Sequence, residues 1–136
     1  MKDKLNDYVC VHPFNFMDLQ PYQVYVCCPS WCPTSIRDGK EEISWDTDSA
    51  VDIRKSVLDG TYRHCDCNVC PSLNKLLNTD EVPNNFIKKE EFYKIHNING
   101  IDDVLKIETN PEHVLFGFDR SCNLKCPSCR LDFVPN

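Results

Sequence analysis

The stretch Phe14-Asn15-Phe16-Met17-Asp18-Leu19-Gln20-Pro21-Tyr22-Gln23-Val24-Tyr25-Val26-Cys27 reads as two short strands joined by a tight connection at Gln20-Pro21-Tyr22. This predicts a β-hairpin with strands over residues 14–19 and 23–27. Cys10 stands just before the first strand and Cys27 ends the second, so antiparallel pairing brings both thiols toward the same end of the hairpin.

Working outward, a proline-punctuated loop over residues 29–39 precedes a helix expected over residues 47–59. Ala50, Ile53, Val57 and Leu58 share one helical face, Asp46 or Thr47 can cap the start, and Gly60 suits a left-handed stop. Cys65, Cys67 and Cys70 follow in a loop, with a helical turn after them through Leu73, Leu76 and Leu77. Residues 78–85, rich in Asn, Asp and Pro, mark a boundary. Beyond it, residues 86–95 carry a weak helical preference, whereas 103–108 and 113–118 read as strands, the second running into the last cysteine cluster.

A chain of 136 residues accommodates one modest domain, or a small domain and the start of another, and falls short of a complete (β/α)-barrel. Its 10 cysteines exceed what a packed core asks for, which leaves disulfides or metal to account for them. The charged start Met1-Lys2-Asp3-Lys4-Leu5-Asn6-Asp7 leads into no apolar run, so a cytoplasmic address is expected, where thiols stay reduced and metal is the better explanation. No stretch could span a membrane as a helix. A net charge of −6 and scattered Lys and Arg give no footprint for nucleic acid.

Cys122-Asn123-Leu124-Lys125-Cys126-Pro127-Ser128-Cys129 places three thiols at C-x3-C-x2-C spacing directly after a predicted strand. Three such cysteines can hold three of the four irons of a 4Fe-4S cluster and leave the fourth open. The segment resembles the signature loop of the radical S-adenosylmethionine (radical SAM) superfamily, with Val114-Leu115-Phe116-Gly117-Phe118 as the first barrel strand and Ser128 where family members usually carry an aromatic residue. The resemblance implies that Cys122, Cys126 and Cys129 bind a 4Fe-4S cluster whose open iron chelates S-adenosylmethionine. It implies reductive cleavage to a 5′-deoxyadenosyl radical in the full-length enzyme, an electron donor such as a flavodoxin or ferredoxin, and a substrate that could be a peptide or a sugar. The chain as given holds only the start of such a barrel and is not expected to turn over alone.

Cys10, Cys27, Cys28, Cys32, Cys65, Cys67 and Cys70 come from three places in the sequence, a way for a metal centre to tie together a domain with a small core. The runs Val24-Tyr25-Val26-Cys27-Cys28-Pro29 and Ile53-Arg54-Lys55-Ser56-Val57-Leu58-Asp59-Gly60, with the cysteines up to Cys70-Pro71, resemble the auxiliary-cluster domains called SPASM or twitch. The resemblance implies a second, auxiliary 4Fe-4S cluster on Cys10, Cys27, Cys65 and Cys70. Cys27 and Cys28 point to opposite sides of a regular strand, which makes Cys28 a small buried thiol beside Val24 and Val26. Cys32 and Cys67 are open between ligation and packing. Among the histidines only His64, beside Cys65, is a candidate replacement ligand, and Trp31 and Trp45 cover the core or shield a cluster.

The expected architecture is therefore α+β. It comprises a SPASM/twitch-like hairpin-plus-helix domain over residues 8–77, a linker with a possible helix over 78–102, and the start of a truncated radical SAM (β/α) barrel over 103–136. The competing readings are a zinc-binding structural module, a redox C-x2-C pair at Cys126 and Cys129, and a disulfide scaffold.

Overall fold

A computed structural model describes residues 2–20, 22–37 and 44–116. In chain order these form α1 (Lys2–Asp7), β1 (Tyr8–Cys10), α2 (His12–Asn15), β2 (Phe16–Leu19), β3 (Val24–Tyr25), α3 (Asp48–Leu58), α4 (Pro71–Asn78), β4 (Phe86–Lys88), α5 (Lys89–His96), a 3₁₀ helix (Ile101–Lys106) and β5 (His113–Phe116). The architecture is α+β, with two small sheets, several helices and no barrel among the described residues.

The hairpin forms as β2 against β3, with Asp18 opposite Tyr25 and Leu19 opposite Val24, and the Gln20 N–H closes the turn onto the Gln23 carbonyl at 2.9 Å. It is shorter than its apolar run. Pro13 lies in the first turn of α2, where its fixed φ favours helix, and Phe14 turns inward to meet Phe92 with ring centroids 4.8 Å apart. The strand consequently begins only at Phe16. On the other edge of β2, β5 adds in parallel, Phe16 opposite His113 and Leu19 opposite Phe116.

Helix α3 follows its sequence signals closely. Thr47 is the N-cap, its Oγ1 accepting the Ala50 N–H at 3.2 Å, while Ala50, Ile53, Val57 and Leu58 are fully buried. Past its end, Gly60 takes φ +80°, and a Cβ there would meet the Asn6 side chain at 2.0 Å. Arg54 is buried on this helix with each of its three guanidinium nitrogens hydrogen-bonded: Nε donates to Pro13 O at 2.8 Å, and the terminal nitrogens donate to Asp46 Oδ1 at 2.7 Å and Trp45 O at 2.8 Å. The same guanidinium lies 4.4 Å over the Trp45 ring.

One segment departs from the sequence reading. Residues 103–108 were expected as a strand, and the chain instead winds a 3₁₀ helix over Ile101–Lys106. Ile101, Val104 and Ile107 recur every three residues and pack on the core together, a period that fits three residues per turn better than strand alternation. Asp103 reinforces the turn by accepting the Asn99 N–H at 2.9 Å. Residues 78–102, expected as a linker with a possible helix, contain α5, in keeping with the weak helical preference over 86–95, and also β4: β4 pairs antiparallel with β1, with Cys10 opposite Phe86, and Phe86, Phe92 and Ile98 are buried with Val9, Leu58 and Leu73.

The core has two apolar clusters, and α3 contributes to both. Its Val57 and Leu58 join Val9, Phe14, Tyr62, Leu73 and Phe92, whereas its Ala50 and Ile53 join Met17, Val24, Val26 and Ile36. Trp31 and Cys65 pack against both clusters, so the seam between them falls where the cysteines gather. No helix among the described residues is long and apolar enough to cross a membrane.

Candidate functional site

Cys10, Cys27, Cys32, Cys65 and Cys70 line a single cavity, together with His12, Pro13, Trp31, Tyr62, Ser72, Leu73 and Asn85. The enclosed space is small, about 20 Å³. Each thiol arrives by its own route. Cys10 ends β1, where Tyr62 fixes the backbone: the Tyr62 hydroxyl donates to Tyr8 O at 2.8 Å and accepts the Cys10 N–H at 3.2 Å. Tyr62 takes φ +47°, a left-handed conformation uncommon for a residue with a side chain, held here by those two bonds and by burial of the ring.

Cys27 lies where the chain bends after β3. The Trp31 and Cys32 N–H groups both donate to the Cys28 carbonyl at 2.9 Å, folding the loop back so that Cys32 also reaches the cavity. Cys65 and Cys70 come from the loop between α3 and α4, in which the Cys70 N–H donates to Asp66 O at 2.8 Å and Cys70 caps α4 just before Pro71. The Asp66 N–H donates to Trp31 O at 2.7 Å and joins the two loops.

The thiols sit in low-polarity surroundings with a few placed donors. Burial pushes the Cys10 thiol up to about 11, against hydrogen bonds from the His12 backbone and from Asn85, whose Nδ2 donates to Cys10 Sγ at 3.3 Å. Burial likewise raises Cys27, with His12 Nδ1 at 3.7 Å from its sulfur. The interaction between Cys32 and Cys65 favours the thiolate on Cys32 and the proton on Cys65, with burial adding to the rise at Cys65. All seven described cysteines are free thiols.

No protein family, curated protein or solved structure matches this chain.

The four thiols singled out in the sequence, Cys10, Cys27, Cys65 and Cys70, are thus brought to one wall, and Cys32 joins them. Cys28 and Cys67 do not line the cavity, and Cys28 is half-buried, not enclosed beside Val24 and Val26. His64 is engaged elsewhere: Nε2 meets Asp52 Oδ2 at 2.5 Å and Nδ1 meets Thr34 Oγ1 at 2.9 Å, leaving neither nitrogen for the cavity. His12 lies on the cavity wall, and its only sequence signal was proximity to Cys10. Trp31 lines the cavity, while Trp45 covers Arg54. Cys122, Cys126 and Cys129 lie outside the described residues.

The donor set fits an iron–sulfur cluster in kind. Thiolates are the usual ligands of such clusters, and hydrogen bonds to their sulfurs together with an apolar wall are what tune them. No group of three His, Cys, Asp or Glu side chains among the described residues is gathered closely enough to hold a single ion.

Proposed function

We propose that the described residues hold an auxiliary 4Fe-4S cluster on Cys10, Cys27, Cys65 and Cys70, within an iron–sulfur protein of radical SAM type. The observation that carries this reading is the shared cavity wall of four thiols from three separated stretches of sequence. Such a cluster supplies reversible one-electron transfer when bound. The residues of the chain do the rest. Tyr62 fixes the position of Cys10, Asn85 donates to the sulfur of Cys10, His12 Nδ1 lies beside that of Cys27, and Trp31 and Leu73 line the same wall. Because burial holds Cys10 and Cys27 protonated at neutral pH, metal loading must release their protons.

The reading extends to Cys122, Cys126 and Cys129, whose C-x3-C-x2-C spacing suits a second cluster with one iron free for the amino and carboxylate groups of S-adenosylmethionine. The charge balance and the scattered basic residues favour neither nucleic acid nor an acidic surface as partner, and a flavodoxin or ferredoxin remains the expected electron donor.

Anaerobic purification tests the proposal. Iron with equal acid-labile sulfide and a broad absorption near roughly 400 nm supports it, as does a change in the reduced EPR spectrum on adding S-adenosylmethionine that vanishes in C126A. Colourless protein with stoichiometric zinc would assign the thiols to a structural module.

A further inference from the structure

One contact to the cavity sulfurs comes from the segment that the sequence marks as a boundary. Asn85 stands 75 residues from Cys10, and its Nδ2 donates to Cys10 Sγ at 3.3 Å. Backbone bonds fix its place. The Val11 N–H donates to Asn85 O at 2.8 Å, the Phe86 N–H closes a turn onto Pro83 O at 3.1 Å, and Phe86 pairs opposite Cys10 in the β1–β4 ladder. Phe86 is buried, with its ring centroid 6.4 Å from that of Tyr62, whose hydroxyl accepts the Cys10 N–H. The amide thus reaches the sulfur on the same ladder that carries Cys10. Asn85 also lines an outer groove with Lys75, Glu81, Val82 and Pro83, so it stands between the thiol wall and the surface.

We propose that Asn85 is a positioning residue that sets the reduction potential of the auxiliary cluster, holding it higher through the amide N–H on the Cys10 sulfur. The inference rests on the cluster reading above and brings residues 83–86 into the metal centre. A ligating thiolate has no proton to give and can only accept, so the carboxamide presents its nitrogen to it. An N–H on a ligand sulfur favours the more negatively charged, reduced cluster and so raises the potential.

The test uses the full chain carrying C122A, C126A and C129A, reconstituted anaerobically with ferrous iron and sulfide. Asn85→Leu removes the N–H at nearly constant volume and adds no charge. N85L should keep the parent's iron and sulfide, read by analysis, at a more negative potential in an EPR-monitored titration. In the parent grown with ¹⁵N-asparagine, pulsed EPR of the reduced cluster should show a nitrogen coupling that N85L lacks. A parent without that coupling would overturn the proposal. So would an N85L potential equal to the parent's or higher, the second being what water entering from the groove would give. Loss of iron from a folded N85L would overturn it too, by making Asn85 a support of the wall and not a tuner of the cluster. Circular dichroism of the metal-free forms checks folding, and if N85L does not fold, the parent's nitrogen coupling decides. A parent that takes up no iron at all would instead bring down the cluster reading.

Discussion

The two loops that feed the cavity each carry three cysteines, and each sends two of them to the wall. Residues 27–32 supply Cys27 and Cys32 and leave Cys28 aside, whereas residues 65–70 supply Cys65 and Cys70 and leave Cys67 aside. They are held by different physics. The first is fastened by backbone turns and burial: Cys28 O accepts two N–H groups, the Ile36 N–H donates to Val24 O at 2.7 Å, and Ile36 is completely enclosed. The second is fastened to α3 by polar side chains, with Arg63 on Asp52 and Asp59, and His64 on Asp52. A thiol site assembled from two unlike fastenings should fail in two unlike ways.

The largest effect is expected at the wall. C10A, C27A or C70A should remove the auxiliary cluster, read as loss of iron and sulfide from the chain lacking its three C-terminal thiols, whereas C28A and C67A should leave both unchanged. Equal losses at all five positions would erase the distinction between wall and flank. Next comes Ile36→Ala, which empties an enclosed site under the first loop and should destabilise the cluster-free protein by about 2–5 kcal/mol in urea unfolding. Tyr62→Phe keeps the ring and orphans the Tyr8 carbonyl and the Cys10 N–H, at a cost of about 1–3 kcal/mol by the same measurement.

The smallest effect belongs to the polar fastening. Asp52 is half-exposed, and hydrogen bonds from His64 and Arg63 hold its carboxyl below the usual carboxylate range. Its contribution is therefore complete above the unfolded value of about 3.9 and is lost as pH falls through the lower folded value. Asp52→Asn should cost no more than about 1 kcal/mol at neutral pH, because solvent screens the pair, and should flatten the acid limb of the stability curve. A neutral-pH loss as large as that of Ile36→Ala would mean that charge, not burial, carries the second loop.

What the sequence showed and what it hid follow from the range of the signals. Helix α3 was legible because its cap, its apolar face and Gly60 are all local. The hairpin was legible in position but not in length, since Pro13 starts a helical turn inside the apolar run. The pairing of β1 with β4 was not legible: each strand is three residues long, and nothing local links Cys10 to Phe86. Cys32 was left open because its loop has no periodicity, and its place on the wall depends on a turn at Cys28 and a backbone bond to Asp66. The 3₁₀ helix was misread because short apolar runs at mixed spacing satisfy two templates, and packing against the core decided between them.

The central claim is that the cavity thiols hold iron as a cluster. Its most direct measurement is the metal and sulfide content of the anaerobically reconstituted chain with Cys122, Cys126 and Cys129 replaced by alanine. The account predicts about four irons and four sulfides per chain, lost on C70A. Zinc without sulfide, or no metal at all, would contradict it.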